Sequence, residues 1–553
     1  METAATKAPA RGLWSGDEAV AMAALDGEVA LGTGYPGTPS TEILEAFSAL
    51  GGRAQWAPNE KVALEVGLGA AFAGARVLVT MKHVGVNVAA DPLFTAAYTG
   101  VDGALVLVSA DDPGMSSSQN EQDNRRYAVA AGIPMLEPAS SQEAYDFTLA
   151  SLELSARWKI PVILRMTTRV CHSKSVVHRR DHPLPPAPAP SFVRDIRGRV
   201  MVPAFARPAH HKLRKKLDEI RAWAETSPLN AVHEGSLALG VVTAGISFQH
   251  VREAAPEASI FKLGVVYPLP LEALRRFAAG VERCVVVEEG DPVVADALLA
   301  AGIRVEGKPE MFRFGELSVS RVRRILARDE SPEPPEPKAK PPELCDACPY
   351  HPVYGALQRM GCIVAGDIGC YTLGVMEPYQ AMDTCVAMGA SVGVGLGLRH
   401  VLPEAQARKV VSVIGDSTFI HSGLNGLVEM VYNPPATGHV LLVLDNGTTA
   451  MTGQQEHPGT GRTMSHDATG HVSIEGMARA AGVKNVDVVD PVKDPKGFEE
   501  LLTRRLASND LSVIVSRRPC ILAAADIRAF EKTNAAKAAA ASPCAGCGSD
   551  DAA

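Results

Sequence analysis

The chain has 553 residues, enough for roughly three to four domains. Its 54 Lys and Arg against 62 Asp and Glu leave a net charge of −8, and the mean hydropathy is +0.04, which argues against nucleic acid or an anionic membrane as the main partner. No apolar run approaches the ~20 residues needed to span a bilayer and the N-terminal stretch has no signal-peptide core, so a cytoplasmic protein without a membrane partner is expected.

Residues 14–178 read as one α/β domain. Ala30 and Leu31 end a strand, Gly32–Ser40 forms a Gly/Pro turn, and a helix follows that Ser40 or Thr41 is placed to cap. Trp56–Lys61 precedes a small-residue helix, Val62–Ala73. A strand over Arg76–Thr80 leads into Met81–Asn87. The apolar strand Ala104–Ser109 then runs into Ala110-Asp111-Asp112 and a polar stretch, Ser116–Arg126. The order β-α-β-α-β predicts a doubly wound parallel sheet.

Residues 179–210, Pro-rich and then basic, read as a semi-rigid linker. A second α/β block spans 211–327, with strands in LALGVVTAGIS, SIFKLGVVYPLP and ERCVVVEEG; without acidic or Cys clusters it reads as scaffold. Residues 328–343, RDESPEPPEPKAKPPE, form a second linker with nothing to bury. A third α/β domain spans 344–530, and the Ala-rich 531–553 reads as a disordered tail.

In the third domain an apolar run, Val410–Ile414, ends in Gly415-Asp416-Ser417, and a second, Val440–Leu444, ends in Asp445-Asn446-Gly447. Two strand ends joined by a helical pattern form a βαβ unit, and open α/β sheets bind ligands at those carboxyl ends. A Gly turn lets backbone approach a phosphate, and an Asp with an Asn about thirty residues on supplies hard oxygens for a Mg²⁺ that holds a diphosphate. An ordinary βαβ turn with a solvated Asp accounts for the motif equally well.

Ten cysteines in such a chain favour metal or cluster ligation over a disulfide framework. Cys345-x-x-Cys348 opens the third domain and is compatible with zinc or redox use. Cys370 follows Gly369 in a Gly turn, and Cys520 closes the domain. Cys171, Cys284, Cys362 and Cys385 stand in apolar or isolated contexts and read as small buried residues. His421 and His457 lie near the motif as candidate proton carriers, although a lone His is more often structural.

YPGTPSTEI, NEKVALEVGLGAAFAG, TMKHVGVNVAADP and SADDPGMSSSQNEQDNRRYA resemble the large (alpha) subunits of indolepyruvate:ferredoxin oxidoreductases, within the 2-oxoacid:ferredoxin oxidoreductase family. Gly415–Ser417 with Asn446 resembles the thiamine-diphosphate fingerprint, with Ser417 where that pattern has its second Gly. The likeness runs from about residue 14 to Leu522. It implies a pyrimidine-binding-type domain at 14–178, a transketolase C-terminal-like domain at 211–327, and a diphosphate- and Mg²⁺-binding domain at 344–530. It also implies oxidative decarboxylation of an aryl-2-oxoacid, of the indolepyruvate or phenylpyruvate type, with coenzyme A to an arylacetyl-CoA. Electrons would leave through a [4Fe–4S] cluster to ferredoxin or a partner subunit.

Carried over residue by residue, the resemblance has Glu60 hydrogen-bonding the aminopyrimidine N1′ and Thr38 lying near the substrate. Pyruvate-specific relatives have an Arg where this chain has Ala110–Asp112, and Lys82 and His83 are the candidates to replace it at the substrate carboxylate. Gly369, Gly415 and Ser417 would face the diphosphate. Asp416 and Asn446, with a carbonyl near Thr448, would hold Mg²⁺. Met451, where those relatives carry an Asn, would meet the aromatic group, with core filler as the plain alternative. Cys345, Cys348, Cys370 and Cys520 would hold the cluster, while a proton-carrying role for His457 rests on its nearness to the motif alone.

The family's large subunits usually continue into a ferredoxin-like module with two C-x₂-C-x₂-C-x₃-C-P runs; this tail has only Cys544 and Cys547, which implies that onward electron transfer lies on another subunit or that the final acceptor differs. A small (beta/gamma-type) subunit that helps bind coenzyme A is expected, in a hetero-oligomer of two large and two small chains. The alternative is a non-oxidative thiamine-diphosphate-dependent 2-oxoacid decarboxylase or carboligase, which has no use for four such cysteines.

Overall fold

The computed structural model describes residues 10–181, 184–335 and 340–541, with side chains as far as residue 534. The chain divides into two compact units, Met1–Glu336 and Pro337–Ala553, and the division falls in the Pro-rich stretch 328–343. Among the described residues no helix is long and apolar enough to cross a membrane.

The first unit is built on a seven-stranded sheet in the order Val265–Tyr267, Met135–Leu136, Val162–Thr167, Ala104–Asp111, Arg76–Lys82, Leu31–Gly34, Ala54–Trp56. All neighbours are parallel except the first pair. Helices cover both faces, so the central strands are mostly apolar and a polar side chain in them, such as Arg165, is buried with partners. Every residue of Ala104–Asp111 is buried. The pleat sends alternate side chains to opposite cores: Val77, Val79, Leu105 and Leu107 to one, Leu78, Val106 and Val108 to the other.

A four-stranded sheet carries the rest of the unit, in the order Cys284–Val287, Ser236–Ala244, Ala258–Leu263, Ala231–His233, with only the last strand antiparallel. The block expected at 211–327 is not self-contained. Its segment Val265–Tyr267 leaves the smaller sheet and pairs with Met135–Leu136, Val265 opposite Leu136 and Tyr267 opposite Met135. Nor is it free of acidic clusters. Glu288 and Glu289 are buried, and Glu288 accepts from Arg125 Nη1 at 2.6 Å. The linker expected at 179–210 contains the helix Ile196–Arg199 and the start of Pro203–Ala224, whose buried stripe is Leu213, Leu217, Ile220 and Ala224.

The second unit has six parallel strands in the order Thr384–Cys385, Ile363–Gly366, Val410–Gly415, His439–Asp445, Leu511–Arg517, Asn485–Val489. The crossover after Val410–Gly415 is not one regular helix. A turn, Asp416–Thr418, passes through a π-type turn, Phe419–Gly423, into Leu424–Tyr432; such bulges are frequent beside functional sites. The tail expected to be disordered from residue 531 starts as the continuation of a helix, Ala524–Ala541. Cys544 and Cys547 lie outside the described residues.

Candidate active site

The carboxyl ends of Val410–Gly415 and His439–Asp445 bring Asp416 and Asn446 side by side, joined through the loop between them. Asp416 is buried; its Oδ1 accepts from the Ser417 N–H at 2.9 Å and its Oδ2 from the Gly447 N–H at 2.8 Å. Gly447 has φ +73, which favours glycine, and this turn aims its N–H at the carboxylate. Asn446 Oδ1 accepts from the Thr448 N–H at 3.1 Å, and Thr449 Oγ1 donates to Ser417 Oγ at 2.9 Å. The Gly459 N–H donates to Nδ1 of His457 at 3.2 Å, so the proton sits on Nε2, which donates to Asp416 Oδ2 at 3.2 Å. His457 thus orients the carboxylate.

Burial pushes the Asp416 pKa up, but His457 and the two backbone donors outweigh it and hold the group below the ordinary carboxylate range. Burial and the Asp416 charge instead raise Asp445 to about 6 despite its ion pair with Arg517. A Cβ at Gly369 or Gly415 would strike the ring of Tyr371, at 2.4 and 2.7 Å, so packing against that ring by itself calls for glycine at both positions. The Tyr371 hydroxyl donates to the Ile368 carbonyl at 3.0 Å.

Four thiols gather in the same unit. Cys348 and Cys370 are each half-buried and pushed up to about 11, first by burial and then by the charges that the other cysteines, Cys345 and Cys520 included, would carry. Tyr350, edge-on to Tyr371 with ring centres 6.2 Å apart, feels both this group and Asp416. Cys348 and Cys370 each feel Cys345 and Cys520; four thiolates are the number a [4Fe–4S] cluster takes, and buried hard oxygens are the donor type Mg²⁺ takes, so the residue types present suit both groups. Cys171 and Cys284 are buried as expected, whereas Cys362 is half-buried and Cys385 exposed.

On the first unit, Glu60 opens the helix Glu60–Phe72, which Asn59 caps by accepting from the Val62 N–H at 2.9 Å. Glu60 is buried, and Gly85 leaves room for it: a Cβ there would lie 2.6 Å from Glu60 Oε1. Thr38 is half-buried in the turn before Thr41–Ala49. Neither Ser40 nor Thr41 caps that helix with its side chain. Both bind Gly37 instead, Ser40 Oγ donating to its carbonyl and Thr41 Oγ1 accepting from its N–H, each at 2.9 Å.

Lys82 is buried rather than solvated. Its Nζ donates to the Ser117 carbonyl at 2.6 Å, and burial pulls its pKa down to about 8 against the pull of Asp112. His83 is fully buried; Nε2 donates to the Asn120 carbonyl at 3.2 Å. The polar stretch 116–126 folds over both, with Gln122 and Asn124 donating to the His83 carbonyl. Arg165 stands beside the strand end that lacks the expected Arg, but it is taken up by Asp111 and Glu137, each at 2.7 Å. Met451 is 50% exposed in the turn Ala450–Thr452, which removes the core-filler reading.

Sequence reasoning missed Asp367. It is fully buried and accepts from the N–H groups of Ile368, Gly389 and Ser391 at 2.9, 2.9 and 3.0 Å, which fixes the turn carrying Gly369 and Cys370. The signal was available: an Asp directly after the strand Ile363–Gly366, flanked by glycines.

Residues 367–516 match the thiamine pyrophosphate enzyme C-terminal TPP-binding domain, and residues 22–187 match the pyruvate flavodoxin/ferredoxin oxidoreductase thiamine-diphosphate-binding domain. Indolepyruvate oxidoreductase subunit IorA of Methanothermobacter thermautotrophicus is 40% identical over 547 residues, covering 93% of this chain and 87% of that protein. The subunit of that name from Archaeoglobus fulgidus is 39% identical over 542 residues, 92% of this chain and 86% of that one. A solved 2-oxoglutarate:ferredoxin oxidoreductase from Magnetococcus marinus aligns at 16% identity and TM-score 0.49, over 58% of this chain and 65% of that one. Identity sustained over this much of both chains, on an α/β fold with a thiamine-diphosphate-binding domain, places the protein in the indolepyruvate oxidoreductase subunit IorA family of 2-oxoacid oxidoreductases.

Proposed function

We propose that this chain catalyses oxidative decarboxylation of an aryl-2-oxoacid, of the indolepyruvate or phenylpyruvate type, with coenzyme A, giving an arylacetyl-CoA and carbon dioxide. The electron pair released would leave through a [4Fe–4S] cluster held by Cys345, Cys348, Cys370 and Cys520. The observation that carries this reading is the 2.9 Å bond from the Cys520 N–H to the Asn446 carbonyl, which ties one of the four cysteines to the turn that carries the Asp416–Asn446 pair.

Thiamine diphosphate, when bound, supplies the reactive carbon and the electron sink for decarboxylation. Asp416, Asn446 and the Thr448 carbonyl offer the oxygens for Mg²⁺, with Ser417, Gly369 and Gly415 lining the diphosphate side. His457 keeps the Asp416 carboxylate turned toward that site. Glu60, buried at a helix start, would hold the proton at the aminopyrimidine N1′ if the cofactor's ring lies against it. Lys82 would recognise the substrate carboxylate by exchanging the Ser117 carbonyl for it, with fully buried His83 behind it as a support rather than a contact and Thr38 beside the reacting carbonyl; half-exposed Met451 offers an adaptable apolar surface to an aromatic group. The relatives are named as subunits, which supports a partner subunit; the proposal takes it to be a small chain in an assembly of two large and two small chains, with ferredoxin or another electron-transfer subunit as acceptor.

The test is iron, acid-labile sulfide and thiamine-diphosphate content of anaerobically purified protein, with coenzyme-A-dependent viologen reduction by phenylpyruvate and indolepyruvate. About four iron and four sulfide per chain are expected. Thiamine diphosphate without iron, and aldehyde released without coenzyme A, would establish a non-oxidative decarboxylase instead.

A further inference from the structure

Away from these residues, three ligand-type side chains meet on the first unit. Asp17 lies in the first turn of Gly16–Asp26, Glu42 in the first turn of Thr41–Ala49, and His172 ends the short helix Thr168–His172. One ligand atom from each lies within 4.8 Å of the other two. Glu42 and His172 are exposed, and Asp17 at their base is only 1% exposed.

Neither oxygen of Asp17 has a hydrogen-bond partner among the described residues. Among them the Cys171 thiol is its one neighbouring donor, too weak and too distant to count as a formed bond; a buried carboxyl group left so poorly partnered is costly, and native structures rarely keep one without a reason. Burial raises the Asp17 pKa well above the ordinary range, with the nearby Cys171 thiol offsetting only part of this. The carboxylates acting on it, Glu42 and Glu18, add further negative charge, and Glu18 is already held by Ser15 and Lys174.

The geometry is built in by the backbone. Ser15 and Glu18 close a capping box that fixes the first turn of the helix carrying Asp17. A Cβ at Gly16 would come within 2.2 Å of the Val170 carbonyl oxygen, so only glycine lets this turn lie against the segment that ends in His172.

We propose that Asp17, Glu42 and His172 form a binding site for a divalent cation of the zinc class. Two carboxylate oxygens and one imidazole nitrogen are the mixed donor set that zinc accepts, with water completing its tetrahedron. An ion there gives Asp17 the partner it lacks and ties together three helix ends, one of them the helix that follows the Thr38 turn. Its role is structural bracing of the first unit, separate from the Mg²⁺ oxygens of the second.

Holoenzyme carrying its own cofactors, washed with a mild chelator, is dialysed against Zn²⁺. Zinc and iron per chain are then measured together with thermal unfolding. Wild type should take up about one zinc per chain with iron unchanged. Glu42→Gln and His172→Ala, both at exposed positions where folding is not at risk, should weaken zinc binding by more than the roughly 10–100-fold that loss of a supporting partner costs. Zinc should raise the unfolding midpoint of wild type but not of Asp17→Asn, which without metal unfolds no earlier than wild type. Equal zinc uptake by wild type and Glu42→Gln, or no uptake by wild type, overturns the proposal.

Discussion

The backbone N–H of Cys520 donates to the carbonyl oxygen of Asn446 across 2.9 Å. One residue is a proposed cluster thiolate and the other a proposed Mg²⁺ ligand, so the two halves of the site share a main-chain bond. The neighbouring Arg518 N–H makes the same kind of bond to the Asp445 carbonyl at 3.0 Å. Cys520→Ser keeps the backbone donor and removes only the thiol. It should lower iron well below about four per chain and abolish viologen reduction, while thiamine-diphosphate content is retained. Cys520→Pro, which deletes the N–H, should lower both. Elemental analysis with cofactor release and quantitation separates the two outcomes.

Glu60 is buried at a helix start with room left for it by Gly85. Glu60→Gln is isosteric and should fold with an unchanged circular dichroism spectrum and unfolding midpoint. If the carboxyl handles a proton at the cofactor, turnover falls by roughly 10²–10⁴-fold with cofactor content intact. Near-wild-type turnover would remove Glu60 from the mechanism.

Arg165 is buried between Asp111 and Glu137. Arg165→Met leaves two carboxylates in the interior without their cation and should cost about 3–5 kcal/mol, read as a drop in the urea midpoint of the first unit. Replacement of an exposed pair member, such as Lys61 of the Lys61–Glu65 pair, should shift the midpoint little.

His439 gives the second unit an acid limit. Ser412 Oγ donates to the Ser391 carbonyl at 2.7 Å, so His439 Nε2 must be the donor in its 2.8 Å contact with Ser412 Oγ; Nδ1 is buried without a partner. Burial pulls the pKa down to about 3. The folded value lies below that of the unfolded chain, near 6.5, so as pH falls the unfolded state takes up the proton first. Stability present above about pH 6.5 is therefore lost on the way down to pH 3, by up to about 1.4 kcal/mol per pH unit. The urea midpoint of the second unit should fall between pH 7 and pH 5, and His439→Leu should flatten that fall. An unchanged slope in the variant would show that other groups set it.

The parallel strands were legible because both their faces are covered. Val410–Ile414 and Val440–Leu444 stand out as unbroken apolar runs and lengthen by a residue or two in the fold. Asp416 and Asn446 were legible for the same reason, since each directly follows such a run. Burial of Lys82 and His83 was not, because it comes from a polar segment more than thirty residues away that folds over them. Tyr371 filling the space beside Gly369 and Gly415 is likewise a long-range contact that no local pattern announces. The helix Pro203–Ala224 hid behind its Pro and its basic residues, although Leu213, Leu217, Ile220 and Ala224 keep helical spacing. Short edge strands such as Val265–Tyr267 carry too few residues for any periodicity to register.

That edge strand sets a timetable for the nascent chain. Synthesis at about 5–20 residues per second leaves Met135–Leu136 waiting, on the order of ten seconds, for a partner made roughly 130 residues later. Through that interval the sheet presents unpaired N–H and C=O groups, a template for any strand of a neighbouring nascent chain. A gene cut after codon 210 makes the wait permanent, so its product should collect in inclusion bodies, whereas a cut after codon 336 supplies Val265–Tyr267 and closes the sheet.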